Sequence, residues 1–425
     1  MPPRLIDSFA TTAALADAFS DDAVLRAMLS FEQALSRAQA RLGIIPQSAA
    51  DAIAQLDRVD PGSLAVDARQ SATLAIPFLK AIGDPEAAAF IHWGATSQDL
   101  LDTALVLLLR DARSILQEDH ARLAQGLRAL SERHAGTVML ARTVFQPALP
   151  TTFGYKAAGW YGAVCRNWQR LSRAFDEALH LQFGGAAGTL AAYGNRGPEL
   201  AAELAVELQL ALPDAPWHTY RDRLATLVAN CGIYAGGLAK IARDIALLMQ
   251  PEIGELSEPG GGSSAMPNKR NPSGCVVTLA STAHLPGLVA SFLAAMPQEQ
   301  ERAAGGWQSE WPTVADAVQA TGSALDALAG AVESLMVDAA RMRANIGVTK
   351  GTVFAEKAVM LLASKHGRAR AQALVAEALK ADSLHDGLKD LLTPEQIQTL
   401  ETPEDYIGAA ETFRRRLLED SEQCP

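Results

Sequence analysis

Apolar positions recur every three to four residues along most of the chain, the spacing of one helical face. Over residues 22–42 the stripe is Leu25, Met28, Leu35, Ala38 and Leu42. Gly43 stops it, and Ile44-Ile45-Pro46 leads out. Shorter helical pieces follow, broken at Pro61-Gly62 and Gly83-Asp84-Pro85. Longer apolar-rich helices are predicted over about 100–133, 151–181, 219–249, 272–296 and 310–340. Strand signals are few. The pattern predicts an all-α fold of three helical domains: a first at 1–100, a central five-helix bundle at 101–340, and a more charged C-terminal one at 341–425. Charge runs such as Lys365–Arg370 and Arg414–Arg416 read as solvated faces. The stretch Thr278–Met296 is nearly free of charge, but His284, Pro286 and several Thr and Ser interrupt it. It reads as a helix buried on all sides of a bundle, not as a membrane span. Pro286-Gly287 should kink it.

Composition narrows the function. The chain has 425 residues, enough to bury a large core, and only 6% aromatics, which favours helices over sheets. The formal net charge of −11 argues against nucleic acid as a partner. Cations that meet an anionic substrate must therefore be local. The four cysteines, Cys165, Cys231, Cys275 and Cys424, lie far apart with no CxxC pair. That spacing suggests neither a disulfide framework nor a metal site and suits a reducing cytoplasm. The N-terminus Met1-Pro2-Pro3-Arg4 has no apolar run, so no signal peptide is expected. No ligand cluster has metal spacing, and the glycine run lacks a nucleotide-binding strand context; neither metal nor organic cofactor is expected.

Three polar segments stand out against the helices. Gly260–Pro272 combines a glycine run, Ser263, Ser264, Lys269, Arg270 and Asn271. Asn271 followed by Pro272 reads as an N-cap and first helical position, making a cationic loop that feeds a helix N-terminus, where anions bind readily. In His92–Asp99, Thr96 with Asp99 three residues on resembles a capping box. Thr96 and Ser97 are therefore either a simple cap or part of a site, and His92 alone reads as structural or surface. Arg142–Pro150 reads as a loop carrying a cation, a hydroxyl and an amide. Gly184–Gly188 is a small-residue segment where backbones can pass closely. Arg221-Asp222 sits in the first turn of one long helix, and Gln298–Arg302 lies between two others.

Taken together, GATSQDLLDT (94–103), RTVFQPALPTTFGYKAAGW (142–160) and GSSAMPNKRNP (262–272) resemble the fumarase/aspartase superfamily. LQFGGAAGTLAAYG (181–194) and AMPQEQERAAGGWQSEW (295–311) are similar to its muconate-lactonising branch. The resemblance covers nearly the whole chain. It implies a three-domain helical subunit whose central helices form a twenty-helix core in a homotetramer, with each active site built by segments from three subunits. It implies Ser263 as catalytic acid/base, and Lys269 and Asn271 as groups that hold a substrate carboxylate and stabilise the intermediate. Thr96 and Ser97 match carboxylate-binding positions, and Thr143 and Gln146 match substrate-contacting ones. Ser264 and Met266 join the substrate-binding set as loop neighbours. Further cations for a small tricarboxylate are Arg302, then Arg221 and Arg142, with His92 and His218 weaker and Arg270 facing either site or solvent. No membrane partner is implied.

Two departures carry information. Val144 stands directly after Thr143, where most lyases of the superfamily have His. Val276 stands seven residues after Lys269, where the Glu partner of that His sits. Losing both halves together avoids stranding a lone buried charge. A lyase that expels an amine or hydroxide needs its leaving group activated. In a lactonisation the attacking or departing group is a carboxylate, with a reference pKa of about 4. It is already ionised at neutral pH, so one proton transfer suffices. The expectation is a cofactor-free, cytoplasmic lactonising isomerase of aromatic catabolism. The alternatives are an adenylosuccinate-lyase-like C–N or C–O lyase and a non-catalytic helical scaffold, against which the intact Ser263, Lys269 and Asn271 set argues.

Overall fold

A computed structural model describes residues 4–57, 59–62, 64–82, 84–260, 262, 265–266, 268–419 and 424. The predicted helices are present as Asp21–Arg41, Ser97–Arg133, Phe153–Ala178, Asp222–Leu248, Ser273–Ala283, Leu285–Ala295 and Gly306–Glu333. Among the described residues, strands occur in two small antiparallel pairs, β1 (Val138–Thr143) with β2 (Gln146–Thr152) and β3 (Leu256–Ser257) with β4 (Met336–Val337). The fold is therefore all-α in class, with a hairpin where the sequence suggested an open loop. The chain divides into two compact units: residues 1–120, 167–238 and 277–326, and residues 121–166, 239–276 and 327–425.

In the first unit, Asp21–Arg41 shows why the periodic stripe works. The Ser20 side chain accepts from Ala23 N, and Asp21 and Asp22 favour the positive end of the helix. Leu25, Met28, Phe31, Leu35 and Ala38 are buried together on one face. Gly43 ends the helix region with φ of +66°, a conformation glycine takes without strain. The start of Ser97–Arg133 differs, because residues 98–109 are buried on every side. Its polar members Gln98, Asp102 and Thr103 each make hydrogen bonds inside the unit, with only Gln98 Oε1 of these three side chains left without a partner among the described residues.

His120 is another buried polar group of this unit. Its Nδ1 lies 2.8 Å from Tyr234 Oη, and its ring stacks on Trp168 at a centroid distance of 4.8 Å. Burial pushes its pKa down from 6.5 to about 3. The unfolded chain thus takes up a proton that the folded chain refuses between those values. This contribution is fully present above pH 6.5 and is lost as pH falls toward 3. His120→Gln should flatten the acid limb of stability, read as the urea midpoint followed from pH 7 down to 4.

The apolar stretch at 278–296 breaks where Pro286-Gly287 predicts and departs from the sequence reading in its burial. It is two helices, broken at His284, because Pro286 has no N–H to continue the ladder and Gly287 N donates to His284 O instead. Only 28% of its most apolar window is buried within the chain, so it is not enclosed on all sides. Leu293 is exposed, as is Ile233 on the Asp222–Leu248 helix.

In the second unit, Val138 and Leu140 of β1 pack with Ile346, Phe354, Leu362, Val375 and Leu388. Cys165 and Cys424 form a disulfide across 259 positions, which corrects the expectation of unpaired cysteines. Separation along the sequence carries no information here. The Ala410–Glu419 helix folds back on Phe153–Ala178, with Phe413 near Tyr155 and Leu417 against Gly162. Arg414 is also buried and paired with Glu411 at 2.6 Å, so that charge run is not wholly solvated.

Candidate active site

The first unit assembles one group of candidates around the start of Ser97–Arg133. Asp99 organises it. Its Oδ2 accepts from Thr96 N at 3.0 Å and Gly185 N at 2.8 Å. Its Oδ1 accepts from Gly184 N at 2.9 Å and lies 2.8 Å from His218 Nε2. The reach-back of Asp99 to Thr96 is thus half of the capping box. The Thr96 hydroxyl is not used as a cap; it accepts from Arg302 Nη1 at 2.7 Å. Arg302 Nη2 donates to Ala186 O at 3.1 Å, while its Nε is buried without an acceptor among the described residues. Arg302, Thr96 and half-buried Ser97 therefore converge with the 184–188 segment. Gly94 beside them has φ of +75°, and a Cβ there would lie 2.6 Å from the Tyr193 hydroxyl, so only glycine fits.

Two cations expected in the substrate set of this unit are already engaged. Arg221 is 1% exposed and grips Asp102 through Nη1 at 2.8 Å and Nη2 at 3.0 Å. Its Nη2 and Nε also hold Glu310 at 2.6 and 2.9 Å, and its guanidinium lies over Trp217. This corrects the expectation that Arg221 meets substrate: a fully enclosed guanidinium between two carboxylates has no face left to offer. His92 lies 2.6 Å from Glu32 Oε1, and its amide donates to Glu32 Oε2. Burial lowers its pKa, but the Glu32 charge and hydrogen bond outweigh that and raise it. Its ring is thereby engaged by a buried carboxylate of the chain itself.

The second unit holds the other candidates. Thr143 and Gln146 pair across the end of the hairpin, leaving Val144 and Phe145 as a two-residue turn. Both have positive φ, +51° and +62°, and both are exposed, 91% and 80%. Such turns usually take Asn-Gly, and a β-branched residue at positive φ is strained. Arg142 is held at the bulge below by Glu255, through Nη2 at 2.7 Å and Nη1 at 3.0 Å. Glu255 is fully buried and also accepts from Asn345 at 2.7 Å. Arg142 is thus paired within its own chain while its side chain stays 22% exposed. The hairpin tip borders a cavity of about 560 Å³ that also includes Lys156 and Asp244. Lys156, 4.0 Å from Asp244 and with its pKa lowered by burial, is a cation that sequence reasoning passed over.

Of the signature loop, Ser263 and Ser264 lie outside the described residues. Met266 is half exposed, and Lys269 and Arg270 are exposed. Lys269 N donates to Met266 O at 3.0 Å, and Arg270 Nη1 donates to Pro259 O at 3.0 Å. Asn271 lies two residues before the helix start at Ser273, and its Nδ2 donates to Gly262 O at 3.3 Å. The cap comes from Glu258, whose carboxylate accepts from Gly274 N at 2.9 Å. Nothing local in the sequence marks Glu258, because its partner lies sixteen residues on.

A profile of the lyase family matches residues 8–287. The chain belongs to the fumarase/aspartase family of lyases. It is 42% identical to the 3-carboxy-cis,cis-muconate cycloisomerase of Bradyrhizobium diazoefficiens, over 99% of this chain and 98% of that protein. The crystal structure of 3-carboxy-cis,cis-muconate lactonizing enzyme from Pseudomonas putida superposes with a TM-score of 0.93 at 41% identity, covering 99% of this chain and 100% of that one. The nitrosuccinate lyase of Streptomyces davaonensis is 39% identical over 92% of this chain and 90% of its own length. In this chain Arg221 is enclosed between Asp102 and Glu310, Arg142 is paired with Glu255, and Arg302 lies beside Thr96.

Proposed function

We propose that this chain is an enzyme that lactonises 3-carboxy-cis,cis-muconate to a carboxymuconolactone, a step of aromatic breakdown. The whole-length likeness to lactonising enzymes carries this reading. The apolar Val144 at the exposed hairpin tip supports it, since the tip offers no imidazole to activate a poor leaving group. In the mechanism, one substrate carboxylate adds to the conjugated double bond. A C–O bond forms, and the alkene electron pair moves into the neighbouring carboxylate to give an aci-carboxylate. Lys269, Asn271 and adjacent N–H groups stabilise that charge, the kind of preorganised contact that usually supplies the largest catalytic term. Ser263 then protonates the carbon, and its alkoxide is held by the same cations until solvent returns a proton. Thr96, Ser97, Thr143, Gln146, Ser264, Met266 and Arg302 complete the proposed substrate contacts.

These groups are spread over both units, and the homotetramer implied by the family would gather copies of them into shared sites. The exposed apolar residues Ile233, Val276 and Leu293 are consistent with burial between subunits. The three-domain division at 1–100, 101–340 and 341–425 and a cytoplasmic location belong to the same proposal. The test is direct. Purified protein mixed with 3-carboxymuconate should remove its diene ultraviolet absorption. A C–N lyase reading is favoured by the likeness to nitrosuccinate lyase. Turnover of nitrosuccinate or adenylosuccinate with no loss of diene absorption would decide for it.

A further inference from the structure

Glu258 is 4% exposed and lies just before the signature loop. Its Oε2 accepts from Gly274 N at 2.9 Å and its Oε1 from Cys275 N at 3.4 Å. Both amides belong to the first turn of Ser273–Ala283. The carboxylate thus fills the place that an external anion takes at a helix N-terminus. The buried Cys275 thiol shares the arrangement: burial and its hydrogen bond to Glu258 both push its pKa up. Gly274 has no room to move, since a Cβ there would lie 2.7 Å from Ala331 Cβ and 2.9 Å from Ala327 O. The helix start is wedged on one side and clamped on the other.

The clamp joins residues sixteen apart. Ser263, Lys269 and Asn271 all lie between them. The described side-chain ties that cross the loop, Arg270 to Pro259 O and Asn271 to Gly262 O, are both exposed. Glu258 is the buried one. We propose that Glu258 is a positioning residue for the reaction: its carboxylate fixes the neck of the loop, and so the placement of Lys269 and Asn271, without touching substrate. This rests on the lactonising reading above. Its physical basis is that charge stabilisation works only when the donors are already in place, and a free loop would have to close at an entropic cost in every turnover.

The test compares Glu258→Ala, which removes both acceptor oxygens, with Glu258→Gln, which keeps one and loses the charge. Two readouts are taken on the full chain: diene loss, and tryptic cleavage after the exposed Lys269 and Arg270. Glu258→Ala should lower kcat by about 10- to 100-fold with a smaller change in KM, the scale of a catalytic group displaced by roughly 1 Å. Cleavage should speed up about tenfold, the scale of a lost helix cap. Glu258→Gln, which keeps one acceptor but turns its NH2 toward the other amide, should show a smaller loss of kcat and a smaller rise in cleavage than Glu258→Ala. A purely structural cap would lower the melting temperature of Glu258→Ala yet leave kcat per folded molecule unchanged, and that outcome overturns the proposal. Unchanged cleavage does the same. If Glu258→Ala does not accumulate as folded protein, Glu258→Gln decides: reduced kcat at an unchanged melting temperature supports the clamp, and wild-type kcat overturns it. Faster cleavage of Glu258→Ala in a protein whose wild type fails to lactonise would sustain the clamp and sink the substrate assignment instead.

Discussion

Ser263→Ala should lose lactonising turnover by about 10²- to 10⁴-fold in kcat, the range that a positioned proton donor contributes. The loss should be large because no second proton-handling pair stands in reserve. Val144 and Val276 stand where the sequence resemblance implies a His–Glu pair in other lyases. Residual rate would come from Lys269, Asn271 and the loop amides, which stabilise the aci-carboxylate whether or not the proton is delivered on time. KM should change little, because the hydroxyl acts on the carbon and the substrate is held by its carboxylates. The elution volume on size exclusion should match wild type. Near-normal kcat in Ser263→Ala would remove that residue from its role and move the acid to another donor.

Arg221→Met should cost about 3–5 kcal/mol of stability, the scale of breaking a buried ion pair by deleting one partner. Asp102 and Glu310 would be left in the interior with their common cation gone. Trp307 and Gln98 still donate to Asp102, and Gln298 still donates to Glu310, so the carboxylates would keep some partners. Burial already pushes the Glu310 pKa up, against the opposing pull of Arg221. Removing the guanidinium lets the upward shift grow. A carboxyl whose folded pKa exceeds its unfolded value stabilises the fold below the unfolded pKa, and that contribution is lost as pH rises through the folded one. The variant should therefore be relatively better off at pH 5 than at pH 8 in urea unfolding. Converting Asp102 and Glu310 to Leu in the same chain should recover much of the loss, because well-packed apolar residues can replace a buried ionic cluster. A stability loss below about 1 kcal/mol in Arg221→Met, the range of an exposed pair, would show that the cluster is solvated.

The long helices were legible because their apolar stripes are periodic and their ends carry local signals: Ser20 before Asp21, Gly43 after Arg41, Pro286 inside the apolar run. The hairpin at 138–152 was not, because Pro147 and Pro150 mimic a loop and its turn residues are Val and Phe rather than Asn and Gly. Candidate chemistry was legible as residue type and order, but not as orientation. Nothing in the sequence says whether an arginine faces a substrate or a carboxylate of its own chain. Arg302 donates to Thr96, Arg142 pairs with Glu255, and Arg221 is enclosed by Asp102 and Glu310. Glu258 and the Cys165–Cys424 disulfide escaped for a related reason, since their partners are remote in the chain.

The hairpin tip has one more meaning. Its backbone geometry is dictated by the ladder beneath, by Thr143 opposite Gln146 and Leu140 opposite Pro150, and not by what the two turn residues prefer. A turn imposed in this way behaves as a socket. The side chain at position 144 can then be exchanged without loss of the turn, because the ladder and not the residue sets the backbone there. Val144→His should therefore leave the hairpin and the bundle folded as they are, since the new side chain points from an exposed tip.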